Sequence, residues 1–135
     1  MTRAPKEIGC TRCYGDDPAE TWAYYAQGLI VDEDLRDDSH FVVQLRRCAT
    51  CSQRFVWILT EFVDWQEGDD AQYRTVVPVT GDEARRIAKR GDDLDRELIE
   101  ALGETRRYLQ ADSPTGAREA RIRWSTGRLG VSEGH

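Results

Sequence analysis

Four cysteines fall in two pairs of the form Cys-x-x-Cys: Cys10 with Cys13, and Cys48 with Cys51. Two residues between ligands let a tight turn carry both sulfurs to one side of an ion. Two such turns, face to face, give a tetrahedral set of thiolates at about 2.3 Å, a geometry that suits Zn²⁺. Four protein thiolates leave no open position for water or substrate, so this set predicts a structural metal rather than a catalytic one. Iron is the other metal that thiolates suit, and it would make the site an electron carrier. A redox dithiol would want a βαβ context, which this chain lacks. His40 is the only internal histidine and reads as a surface residue at a strand end. No Ser/His/Asp or Cys/His set can be assembled from so few parts. Arg12, Arg46 and Arg47 stand beside the ligands and are candidates to offset the negative charge of the thiolates.

Both pairs must be carried by secondary structure. Asp17-Pro18-Ala19-Glu20 reads as a helix start: Asp is the N-cap, Pro opens the first turn, and Glu follows three residues after the cap. A short helix to Gly28 is expected, against the strand propensity of Trp22, Tyr24 and Tyr25. Residues 32–39, with Asp32, Glu33, Asp34, Asp37 and Asp38, read as an acidic loop. Residues 40–47 alternate as a strand with Phe41, Val43 and Leu45 on one face, and the second cysteine pair sits just beyond it. Residues 54–63 are almost continuously apolar, as in a strand covered on both faces. After a turn at 66–70, residues 72–79 alternate again. Pro78 cannot donate to a ladder, which places this third strand at an edge. The three strands form an antiparallel meander.

Thr80-x-x-Glu83 is a capping box. Beyond it, Ala84, Ile87, Leu94, Leu98, Ala101, Leu102, Tyr108 and Leu109 fit one helix face as far as Gln110. A single helix of that span would be about 45 Å long, more than three strands cover. Either Gly91 splits it into a helical pair, or a second copy covers the overhang in a homodimer packed through this C-terminal helix. From Ser113 onward, Pro114 and several glycines read as a flexible tail.

The two Cys-x-x-Cys pairs, with the second between two predicted strands, resemble the zinc-ribbon family over residues 8–80. The resemblance implies one metal knuckle on an N-terminal loop and another at a hairpin end, with a three-stranded sheet behind. Its ligands would be Cys10, Cys13, Cys48 and Cys51. Two features depart from the family. The spacer holds an insertion that a minimal ribbon lacks, and Tyr14 and Ser52 stand where a glycine commonly follows each second cysteine. The expected fold is α+β: a zinc ribbon over 1–80 with an insertion between the knuckles, a helical region at 81–111, and an Arg- and Gly-containing tail at 112–135.

The chain has 135 residues, of which 33% are charged and 39% hydrophobic, and its net charge is −6. No run approaches the roughly 20 apolar residues of a membrane span. The N-terminal MTRAPKEIG has no apolar signal core, so a reducing, cytoplasmic setting is expected, where cysteine pairs bind metal. The acidic balance argues against a dedicated nucleic-acid binder. Two surfaces are candidates for a partner. One is the acidic hairpin with Glu61, Asp64, Trp65, Asp69 and Asp70. The other is the tail with Arg121, Arg123 and Trp124. The function expected is that of a non-enzymatic interaction module, as small bacterial adaptors or immunity-type proteins are, with a protein as partner. The alternatives are a nucleic-acid-associated regulator using the Arg-rich tail and a rubredoxin-like iron carrier.

Overall fold

The computed structural model describes residues 8–68, 70–114 and 119–133. Its elements follow the order α1 (Pro18–Gly28), β1 (Leu29–Asp38), β2 (Phe41–Cys48), β3 (Arg54–Phe62), β4 (Ala71–Val79), α2 (Gly81–Arg90), α3 (Arg96–Leu102), β5 (Tyr108–Ser113) and β6 (Arg121–Ser125). The strands form one antiparallel sheet in the order β1-β2-β3-β4-β5-β6, so each pairs only with its neighbours in sequence. The molecule is α+β, as expected, but the sheet has six strands rather than three. It draws strands from all three segments into which the sequence divides.

Each difference has a local cause. Residues 32–38 are strand rather than loop, and of the expected loop only Ser39 lies in the turn. Pairing with β2 overrides their acidic composition, and two register shifts in β1, between Val31 and Glu33 and between Asp34 and Arg36, absorb the mismatch. The strand with Pro78 lies inside the sheet, between β3 and β4's other neighbour β5. The β4–β5 ladder runs from Gln72 to Val76 and stops before Pro78, so the missing N–H interrupts no bond on that side. Helix formation stops at Leu102 rather than Gln110, and the pattern breaks at Gly91 with φ +56°. The long helix, and with it the overhang that called for a second copy, does not form. Residues 108–113 and 121–125 are strands rather than the end of a helix and part of a tail.

Two cores lie on the two faces of the sheet. On the first, Phe41, Val43, Leu45, Val56, Ile58 and Val77 pack against Ile87, Leu98, Ile99 and Leu102 of α2 and α3. Leu129 and Val131 close this core from the C-terminal segment. That segment is strapped down by Leu129 N–H donating to the Glu100 carbonyl at 3.1 Å and by Thr60 donating to the Ser132 carbonyl at 2.7 Å. On the second face, Tyr25, Phe55, Val76 and Leu109 pack with Cys13 and Cys48. α1 lies over this face, touching β1, β5 and β6. Among the described residues no helix is long and apolar enough to cross a membrane.

Candidate metal centre

The four cysteine sulfurs lie within 4.8 Å of one another. Cys10 Sγ is 3.8 Å from Cys13 Sγ and 3.9 Å from Cys48 Sγ, and Cys13 Sγ is 3.7 Å from Cys51 Sγ. A tetrahedron with metal–sulfur bonds of about 2.3 Å has edges of about 3.8 Å. The donor set therefore fits one tetrahedral ion, and the separations are far too long for a disulfide.

The two knuckles are built alike. Tyr14 N–H donates to the Cys10 carbonyl at 2.9 Å, and Ser52 N–H to the Cys48 carbonyl at 2.8 Å. Ser52 has φ +67°, the one non-glycine in the left-handed region among the described residues. It takes the conformation that glycine would adopt more cheaply. Gly9 has φ +59°, and a Cβ there would meet Cys13 Sγ at 2.5 Å, so the residue before the first ligand must be glycine.

Each knuckle is anchored to the sheet by residues that the cysteine spacing does not reveal. Tyr25, buried in α1, donates its hydroxyl to the Cys13 carbonyl at 2.7 Å. Gln53 accepts from Gly9 N–H at 3.1 Å and donates to the Val79 carbonyl at 2.9 Å, tying the first knuckle to the end of β4. Arg107 lies 4.2 Å from the Tyr14 ring centre and 4.0 Å from that of Trp124. It donates to the Tyr14 and Gly15 carbonyls at 2.8 Å each. The second knuckle is held from α1, whose Gly28 carbonyl accepts Ala49 N–H at 2.8 Å. The insertion between the knuckles is thus the element that joins them. The aromatic residue after Cys13 and the glycine before Cys10 are the only signals of this shell in the local sequence.

The sulfurs differ in environment. Burial pushes the Cys13 thiol well up, and it pushes Cys51 up as well. Cys48 is also buried, but hydrogen bonds from the Tyr24 hydroxyl and from the Cys51 and Thr50 backbone outweigh burial and hold it at about 7. Two of the neighbouring arginines face other partners, and the third is exposed. Arg46 lies over the Trp57 ring at 4.0 Å, Arg47 pairs with Asp32 at 2.9 Å, and Arg12 is exposed.

The other candidate residues are spread over two places. In the β3–β4 hairpin, Trp65 is 87% exposed. Asp64 accepts the N–H groups of Gln66 and Glu67 at 3.1 and 3.0 Å, and Asp70 accepts that of Asp64 at 2.8 Å, so both shape the turn. Glu61 faces His40 at 3.3 Å and accepts from Gln72 at 2.7 Å. The Gln72 bond first, and then His40, hold the Glu61 carboxyl below its ordinary range. Asp69 lies outside the described residues. In β6, Arg121 is exposed, Arg123 pairs with Asp112 at 2.9 Å, and Trp124 packs edge-on against Tyr14 at 5.0 Å. The hairpin and β6 do not converge with the sulfurs into one site, though Trp124 supports the first knuckle. No model of a known family matches the chain, and no curated protein or solved structure is found to be similar to it.

Proposed function

We propose that the chain is a non-enzymatic interaction module, stapled by Zn²⁺ at Cys10, Cys13, Cys48 and Cys51, that holds a basic protein partner through its acidic hairpin. The observation that carries this reading is the closed set of four sulfurs at tetrahedral spacing. When bound, the ion supplies cross-linking: four protein ligands leave it no position for a substrate. The thiolates and their amide donors orient the knuckles, and the work of the molecule then falls to its surface. Trp65 stands out from the hairpin tip at 87% exposure, flanked by Asp64, Glu67 and Asp70. An exposed aromatic in an acid-rich turn suits an anchor contact with a cationic surface.

The internal pairing of the C-terminal arginines supports a protein partner over nucleic acid. Arg128 meets Glu97 at 2.8 Å and Glu100 at 3.3 Å, and Arg123 meets Asp112 at 2.9 Å, so two of the arginines in this segment already face carboxylates of the same chain. Metal content is the first test: the purified protein should be colourless and carry one zinc, and visible absorption from iron would overturn the zinc assignment. The surface is tested with wild-type and Trp65→Ala baits on one host extract. A partner held only by the wild type, with equal zinc content and melting temperature in the two baits, supports the hairpin. A partner held equally by both overturns it.

A further inference from the structure

We infer that Tyr24, carried by the helix between the knuckles, is a positioning residue of the metal centre that donates its hydroxyl hydrogen to Cys48. The inference rests on the reading of the four sulfurs as a metal site. Tyr24 Oη lies 3.1 Å from Cys48 Sγ and 2.9 Å from Thr50 Oγ1. A hydroxyl has one proton to give. A metal-bound cysteine is a thiolate and can only accept, whereas Thr50 can donate. The order of the chain is therefore Thr50 to Tyr24 to Cys48, with the Tyr24 oxygen accepting one hydrogen bond and giving one.

Gly28 is what allows the ring to reach that place. A Cβ at Gly28 would fall 2.2, 2.4 and 2.6 Å from three atoms at the hydroxyl end of the Tyr24 ring. Gly28 is required here for closeness: its φ is not in the left-handed region. The same residue accepts Ala49 N–H through its carbonyl, so one glycine seats the ring and holds the second knuckle. Ligands of this kind are oriented and tuned by outer hydrogen bonds. Four thiolates on a divalent ion carry excess negative charge, and with Arg46 and Arg47 turned to Trp57 and Asp32, the Tyr24 hydroxyl is a side-chain donor to it.

The test compares the wild type with Tyr24→Phe, Thr50→Val and Gly28→Ala, each loaded with Co²⁺ as a spectroscopic probe and then competed for Zn²⁺ by a chromophoric chelator. Tyr24→Phe keeps the ring and removes only the hydroxyl. Its sulfur-to-cobalt charge-transfer band should move to lower energy, because the thiolate lone pair loses a hydrogen bond, while the tetrahedral ligand-field bands persist. Zinc affinity should fall by about tenfold. Gly28→Ala should reproduce the band shift by pushing the ring away. Thr50→Val should leave the band near its wild-type place, because Tyr24 keeps its acceptor. Tyr24→Phe indistinguishable from wild type in band and affinity overturns the inference and leaves the metal site standing. A wild-type chain that takes up neither ion overturns the metal reading, and the inference with it.

Discussion

At the scale of single residues, the candidate metal centre depends on backbone conformations that its cysteines do not specify. Ser52 closes the second knuckle at φ +67°, where an L side chain costs roughly 1–2 kcal/mol. Ser52→Gly should therefore stabilise the metal-loaded protein by about 1 kcal/mol, the relief of strain being partly offset by the freer unfolded chain. A thermal or denaturant melt checks the sign, and a lower midpoint would show that the serine contributes something its strain conceals. The cysteines themselves were legible because ligand spacing is a local property: two residues between sulfurs is a statement about one turn. Gly28 and Tyr24 were not, although both are plain in the sequence. Their contact with Cys48 exists only once α1 has docked beside the second knuckle.

Among the elements, the informative failure of the sequence pattern lies between α3 and β5. Leu102 and Leu109 are seven residues apart, an interval that fits a helix face, yet Gly103 ends the helix and residues 109–113 pair with β4. At Gly103 a Cβ would strike the Gly127 carbonyl oxygen at 2.1 Å, a demand from the C-terminal strap that periodicity cannot express. Caps fared better because they are short-range. Asp17 accepts the N–H groups of Ala19 and Glu20, and Thr80 with Glu83 forms the full capping box.

Glu83 has a second role. Its carboxylate meets Arg106 in a two-pronged pair at 2.6 and 3.0 Å, with side-chain exposures of 0% for the arginine and 7% for the glutamate. Arg106 also donates to the Pro78 carbonyl at 3.1 Å, so this pair fastens α2 and the start of β5 to the end of β4. Arg106→Ala strands a buried carboxylate and should cost about 3–5 kcal/mol. A double replacement, Glu83→Gln with Arg106→Met, should recover part of that loss. A cost below about 1 kcal/mol for the single change would mean that water reaches Glu83.

For the whole molecule, the two faces of the sheet differ in what the ion can affect. The core under α2 and α3 draws on no residue from the knuckles or α1, whereas the opposite core includes Cys13, Cys48 and Tyr25. Metal-binding energy in such sites is folding energy. Here, however, its loss should fall unevenly. A strong chelator should strip hydrogen-exchange protection from α1 and the knuckles, while β2, β3 and β4 remain protected and the melting temperature drops. Uniform loss of protection across the sheet would show that the metal-free face cannot hold it alone.

The meander has a further consequence in time. Every strand pairs with its neighbour in sequence, and only the β4–β5 connection, which carries α2 and α3, is longer than a short loop, so most strand pairings are local in the chain. The metal centre breaks this rule. Cys48 and Cys51 lie at the short β2–β3 connection, whereas Cys10 and Cys13 are separated from them by α1 and two strands. An ion taken up first by the hairpin would stay half-ligated until the arm and α1 dock, so closure of the four-sulfur set should follow the pace of the arm rather than that of the sheet.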